Sequence, residues 1–112
     1  MKLPRDLTPP LVDALCERFK ALAEPARIQL LATLRQGEQS VTDLVEQTGL
    51  GQANVSRHLQ QLMSAGFLRR RKEGTFAYYS LADDDVLRIC DLMCGRIDAD
   101  DRERRQGLRA AR

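Results

Sequence analysis

Residues 51–66, GQANVSRHLQQLMSAG, constrain the fold more than any other part of the chain. At about 100° per residue, the apolar residues of this segment fall on one side of a helix and most of its polar residues on the other. Gly66 stands where a glycine commonly ends a helix, and Gly49 ends a shorter helix upstream. Because only Leu50 and Gly51 separate the two helices, the sequence predicts a helix-turn-helix.

The polar side of the second helix carries side chains that can pair with the edges of DNA bases. Such a helix can enter the major groove, where arginine pairs with guanine, and asparagine or glutamine pairs with adenine. Arg57 is the principal candidate for a base contact. The full predicted set is Gln52, Asn54, Ser56, Arg57, Gln60 and Gln61. The alternative is an amide-rich helix that only faces water.

The segment after this helix predicts two short strands around a tight turn. Residues 67–72 and 75–81 read as strands, and Glu73 and Gly74 lie between them. Positive charge near the tip of such a hairpin attracts phosphate whatever the base sequence. The predicted phosphate contacts are Arg70, Arg71, Lys72 and Thr75. The same charges also discourage aggregation at the sheet edge, and both roles can hold at once.

Two stretches, VSRHLQQLMSAGFLRRRKEGTFAYYSL and ALAEPARIQLLATL, resemble a known protein family. They are similar to the winged-helix core of the ArsR/SmtB family of bacterial repressors and to the helix that precedes this core. The resemblance covers residues 19–81, more than half of the chain. It implies a homodimeric repressor that binds double-stranded operator DNA and is released by a metal, metalloid or thiol-reactive signal. It also implies that the first and last helices form the dimer interface.

Composition and charge agree with this expectation. The 112 residues suffice for one domain, and 43% hydrophobic residues without a long apolar run predict a cytoplasmic protein with no membrane partner. The net charge is only +2. Residues 51–80, however, hold five Arg or Lys against one acidic residue, so the positive charge is concentrated in the predicted helix and hairpin.

Helix signals on both sides of this region complete the predicted architecture. Thr8 caps a first helix, Ser40 with Asp43 begins the first helix of the pair, and an apolar stripe runs from Val86 to Ile97 on the last helix. We predict a mainly α winged helix-turn-helix with five helices and a two-stranded wing, paired into a homodimer through its first and last helices. Residues 8–98 would form this domain, residues 1–7 a flexible N-terminus, and residues 99–112 a charged, disordered tail.

Three cysteines, Cys16, Cys90 and Cys94, are the predicted metal ligands. Cys90 and Cys94 lie one helical turn apart, and Cys16 is on the expected partner helix, so the three sulfurs could converge within one chain or across the dimer. Thiolates without nitrogen partners favour trivalent arsenic or antimony, or a thiophilic metal, over zinc. Thiol oxidation or persulfidation is the second reading, and cysteines that only pack as small apolar residues are the third.

Two ligand sites of the resembled family are missing from this sequence. Where the arsenic-type site has the box ELCVCDL, the chain reads EQSVTDL, so Ser40 and Thr42 replace both thiols. The positions that match the zinc-type site are Asp83, Asp85, Arg96 and Ala99, and only the first retains the residue type that the family has there. His58, the single histidine, is interpreted as a packed scaffold residue.

The sequence does not favour an enzyme. It has no phosphate-cradling glycine loop, no nucleophile elbow and no histidine with an acid/base partner. DNA binding by such a fold requires no cofactor. The remaining competitor is a winged helix that binds another protein or RNA and answers to no inducer.

Overall fold

The protein is mainly helical with one small sheet. Its structure, a computed structural model, describes residues 2–110. Within these residues the elements are α1 (Pro9–Leu22), α2 (Pro25–Leu34), β1 (Gln39–Ser40), α3 (Val41–Thr48), α4 (Gln52–Ser64), β2 (Leu68–Glu73), β3 (Phe76–Leu81) and α5 (Asp85–Ala110). The predicted five helices and hairpin are confirmed. No helix in the described range is long and apolar enough to cross a bilayer.

Local sequence signals set where the helices begin and end. The Thr8 hydroxyl accepts a hydrogen bond from the Leu11 N–H at 3.3 Å and caps α1. Ser40 and Asp43 form the predicted capping box, because each side chain accepts from the backbone N–H of the other, at 3.1 and 3.2 Å. Gly49 ends α3 at φ 74°, a left-handed conformation that a side chain would strain.

The core lies where α2 crosses the helix-turn-helix. Leu30, Leu31 and Leu34 of α2 are almost fully buried. They pack with residues of α3, α4, the sheet and the start of α5, namely Leu44, Val55, Leu59, Leu62, Leu68, Tyr79 and Val86. Burying each large aliphatic side chain contributes about 1.5–3 kcal/mol, so this cluster fixes the angle between α3 and α4.

The sheet has three strands, one more than predicted. Its order is β1-β3-β2, with β2 and β3 forming the hairpin, called the wing below. The extra strand is the two-residue β1, whose Gln39 and Ser40 pair with Tyr79 and Tyr78. Two residues are too few to show the alternation of a strand, which explains why the sequence pattern missed it. Its consequence is that the wing is attached to the start of α3.

The last helix continues further than predicted. The proposed disordered tail began at residue 99, whereas α5 runs to Ala110. Ion pairs one turn apart support the added turns, at 2.6 Å between Arg96 and Asp100 and 3.0 Å between Arg105 and Asp101. At the other end, residues 2–7 include a turn closed by the Leu7 N–H and the Pro4 carbonyl. Of the ends predicted to be flexible, residues 1, 111 and 112 lie outside the described residues.

Candidate nucleic-acid interface

Helix α4 separates its side chains into a buried and an exposed face. Val55, His58, Leu59 and Leu62 are buried against the body. All six side chains predicted to contact bases are exposed: Gln52, Asn54, Ser56, Arg57, Gln60 and Gln61. At about 100° per residue they span more than half of the helix circumference, so they cannot all meet the same base edges.

Arg57 lies near the middle of this exposed arc. Its Nη2 donates to the Asn54 side-chain oxygen at 3.4 Å, one turn toward the N-terminus of the helix. A long contact of this kind on an exposed surface holds the guanidinium only weakly, which leaves the fork of N–H donors available for a planar acceptor such as a guanine edge. Gln60 instead donates to the Ser64 hydroxyl at 3.3 Å, toward the C-terminal end of α4.

The basic residues of the wing divide between the two faces of the sheet. Side chains alternate along a strand, so Arg70 and Lys72 share the face of Leu68, while Arg69 and Arg71 lie on the other. The register places Arg70 opposite Tyr79 and Lys72 opposite Ala77. Thr75 is exposed beside Gly74, whose φ of 61° makes the tight turn. Arg70, Lys72 and Thr75 are thus exposed toward the tip, as a phosphate contact requires.

Arg71 has a different environment from its neighbours in the sequence. Its Nη2 donates to Glu38 Oε1 at 2.7 Å, its Nε donates to the same carboxylate at 3.2 Å, and its Nη1 donates to Glu73 Oε2 at 2.7 Å. The guanidinium carbon also lies 4.9 Å from the centre of the Tyr78 ring. These hydrogen bonds raise the pKa of Arg71 and lower the pKa of Glu38. Arg71 is therefore held by the protein itself.

His58 links α4 to the interior of the protein, as expected of a scaffold residue. Its Nδ1 accepts a hydrogen bond from Arg27 Nε at 3.2 Å, and Arg27 also donates to the Ala21 carbonyl at 3.3 Å. Burial, and then the neighbouring charges of Arg57 and Arg27, lower the pKa of His58. The neutral imidazole thus links α1, α2 and α4.

The three cysteines do not form a metal site within one protomer. Cys16 on α1 and Cys94 on α5 are exposed, and Cys90 is half-buried. Burial is the main cause that raises the pKa of Cys90. Nowhere in residues 2–110 do three or more Cys, His, Asp or Glu side chains of one protomer gather closely enough to bind a metal ion. Convergence across a dimer, the other arrangement expected from the sequence, stays a prediction.

Helices α1 and α5 carry large apolar side chains that the protomer leaves uncovered. On α1 these are Leu11, Leu15 and Phe19, and on α5 they are Ile89, Leu92, Met93 and Ile97. Exposed contiguous apolar surface on a small protein marks an interaction site. Next to it, Arg35 Nη2 donates to Asp91 Oδ1 at 2.9 Å and joins the end of α2 to α5.

Comparison with known proteins identifies the family. The model of the family described as "Bacterial regulatory protein, arsR family" matches residues 24–70. The arsenic resistance transcriptional regulator ArsR1 of Pseudomonas putida is 37% identical over 83% of this chain and 69% of its own length. The chain belongs to the arsR family of bacterial regulatory proteins. This is a family of DNA-binding transcriptional regulators, not of enzymes, so the resemblance drawn from the sequence is confirmed.

Other related proteins agree with this chain in sequence and in fold. The homodimeric winged helix-turn-helix DNA-binding domain Mb0332 of Mycobacterium bovis has a TM-score of 0.74 and 37% identity, over 88% of this chain and 91% of its own. The transcriptional regulator Rv0324 of Mycobacterium tuberculosis is 40% identical over 74% of this chain. The chain spans only 37% of that regulator, and 62% and 56% of two further relatives.

Sequence patterns did not reveal every residue that shapes this arsR-family site. Glu38 carries no functional signal in the sequence, yet its carboxylate holds Arg71. Arg35 and Asp91 were not expected to pair, although the ion pair links α5 to the body. Exposed charges far apart in sequence carry no periodic signal, so only the fold shows that they meet.

Proposed function

We propose that this chain is a transcriptional repressor that binds a palindromic DNA operator as a homodimer, in the cytoplasm and without a cofactor. The observation that carries the proposal is the exposed face of α4, where Arg57 and Asn54 lie side by side on a rigid, core-anchored helix. Base reading by such a helix needs donors held on the side away from the core. Gln52, Ser56, Gln60 and Gln61 extend the same face.

The wing supplies the contacts that do not depend on sequence. Arg70, Lys72 and Thr75 are exposed near its tip, within a segment whose charge is positive. Contacts to phosphate orient a protein on the duplex, and each one adds to the salt dependence of binding. In this proposal α4 determines which sequence is bound, and the wing determines how tightly any duplex is held.

The apolar stripes of α1 and α5 support the homodimer. A second copy of the chain offers the same stripes, which a two-fold axis can bring together. Two copies of α4 then meet successive major grooves about 34 Å apart on one side of the duplex. The related domain from Mycobacterium bovis is itself homodimeric.

For the inducing signal we propose trivalent arsenic or antimony, or a soft metal, bound by Cys16, Cys90 and Cys94 across the dimer. The three cysteines are the chain's only thiols, and a relative from Pseudomonas putida is an arsenic resistance regulator. Cys16 and Cys94 are on the two helices with uncovered apolar stripes, so both can approach a partner. Thiol oxidation or persulfidation is the alternative, and the exposure of Cys16 and Cys94 favours it.

Binding selection tests the repressor proposal. The purified protein should enrich a palindrome with two half-sites one helical turn apart from a pool of random duplexes, and should bind it more tightly than random duplex. Equal retention of all duplexes, or preference for structured RNA, would contradict the proposal. Release of the selected operator by arsenite, antimonite, cadmium, peroxide or polysulfide then tests the signal. The Cys16→Ser, Cys90→Ser, Cys94→Ser triple variant should keep operator binding and lose this response.

A further inference from the structure

We infer that the Glu38–Arg71 ion pair positions the wing for DNA binding, and that Arg71 is a positioning residue and not a phosphate contact. The inference rests on the proposed function, because it assigns a role within DNA binding. It separates Arg71 from Arg70 and Lys72, which share its sequence environment but not its contacts. It also means that the acidic residue Glu38 favours the binding of DNA, whereas charge repulsion alone would predict that it weakens binding.

The ion pair joins two parts of the fold that hold DNA. Glu38 precedes β1 and lies two residues before Ser40, the cap of α3. Arg71 lies in β2, and both it and Ser40 are register partners of Tyr78 in β3. The carboxylate of Glu38 therefore reaches across β3 to the outer strand of the wing. The hydrogen bonds at 2.7 and 3.2 Å tie that strand to the start of the helix-turn-helix.

The Arg71 guanidinium is fixed from three directions. Two of its nitrogens donate to Glu38, the third donates to Glu73, and its plane lies beside the Tyr78 ring. A planar fork that engages a carboxylate through two nitrogens has a defined orientation, unlike a single flexible contact. The pair therefore sets the direction of β2 as well as its distance from α3.

Local charge argues against a phosphate at this position. One arginine lies between two carboxylates, so the group of Arg71, Glu38 and Glu73 has a formal charge of −1 and repels phosphate. On the opposite face of the strand, Arg70 and Lys72 form no ion pair with any residue the structure describes. Unlike Arg71, these two cations are therefore available to DNA.

The direction in which Glu38→Gln changes the affinity for DNA distinguishes the two roles of Arg71. If Arg71 contacted phosphate, Glu38→Gln would release it from a competing carboxylate and tighten DNA binding. If the ion pair positions the wing, Glu38→Gln should weaken operator binding by roughly 3–10-fold, and Glu38→Gln/Arg71→Gln should be no weaker than Arg71→Gln alone. Glu46→Gln is the matched control, since Glu46 is an exposed acid on α3 outside the ion pairs of the described chain. It should leave binding unchanged or tighten it.

Amide hydrogen exchange of the free protein tests the ion pair independently of DNA. Glu38→Gln should speed exchange in β2 and β3, whereas Glu46→Gln should not, and thermal unfolding should confirm that both variants fold. Unchanged exchange in the wing, or operator binding by Glu38→Gln as tight as that of the parent, would overturn the inference. If the parent protein binds no duplex at all, the proposed function fails, and the exchange experiment still decides whether the ion pair positions the wing.

Discussion

Replacing Met93 by glutamate should convert the homodimer to monomers. Met93 keeps 59% of its surface exposed in the protomer, in the middle of the apolar stripe of α5. Burying a whole methionine side chain contributes about 1.5–3 kcal/mol, so covering this fraction contributes roughly 1–2 kcal/mol per protomer. Two-fold symmetry places Met93 in the interface twice, so its two copies contribute roughly 2–4 kcal/mol to the free energy of dimerisation. Loss of this contribution raises the dissociation constant of the dimer about 30- to 900-fold.

The glutamate adds a penalty of its own, because a carboxylate buried without a partner costs several kcal/mol. Sedimentation equilibrium at micromolar protein measures the result. Asp91→Ala is the control, since Asp91 points to the body of the protomer through Arg35 and its exposed ion pair contributes little. Asp91→Ala should remain dimeric. A Met93→Glu protein that stayed dimeric at micromolar concentration would remove this face of α5 from the interface and refute the reasoning.

Three further expectations follow from individual residues. Leu59→Ala should lower the free energy of unfolding by about 2–5 kcal/mol in urea titration, because Leu59 is fully buried at the centre of the core; a loss below 1 kcal/mol would contradict that placement. Burial lowers the pKa of His58 in the folded state, so the unfolded state binds more protons in acid. The free energy of unfolding should therefore fall as the pH drops below about 6.5, and this pH dependence should shrink in His58→Asn. In the monomeric Met93→Glu variant, maleimide labelling should modify Cys16 and Cys94 faster than Cys90, whose pKa is raised by burial; faster labelling of Cys90 would contradict its half-buried environment.

The sequence predicted the parts of this fold that depend on local signals. Thr8, Ser40 and Gly49 are capping residues with a strong preference at helix ends, and the structure uses each of them as predicted. The two faces of α4 followed from periodicity, because one helix must bury its apolar side. These features need no knowledge of what lies across the fold.

Features that depend on distant contacts were missed or misread. The strand β1 forms because it pairs with β3, and a stretch of two residues contains no sequence pattern that predicts this pairing. Glu38 and Arg71 are 33 residues apart, so their ion pair follows only from the sheet. The extension of α5 was different, since the four-residue spacing of Arg96 and Asp100 was visible in the sequence. A tail is predicted there because a run of mixed charge is also typical of disordered segments.

Operator binding by Arg57→Ala tests the central claim most directly. The parent, Arg57→Ala and Lys72→Ala should be titrated against a selected operator and a random duplex at several salt concentrations. Arg57→Ala should lose about 1–3 kcal/mol at the operator and little on random duplex, because a base contact is lost. Lys72→Ala should weaken both and reduce the salt slope by about one. If Arg57→Ala bound the operator as tightly as the parent, α4 would not be the element that reads DNA through Arg57.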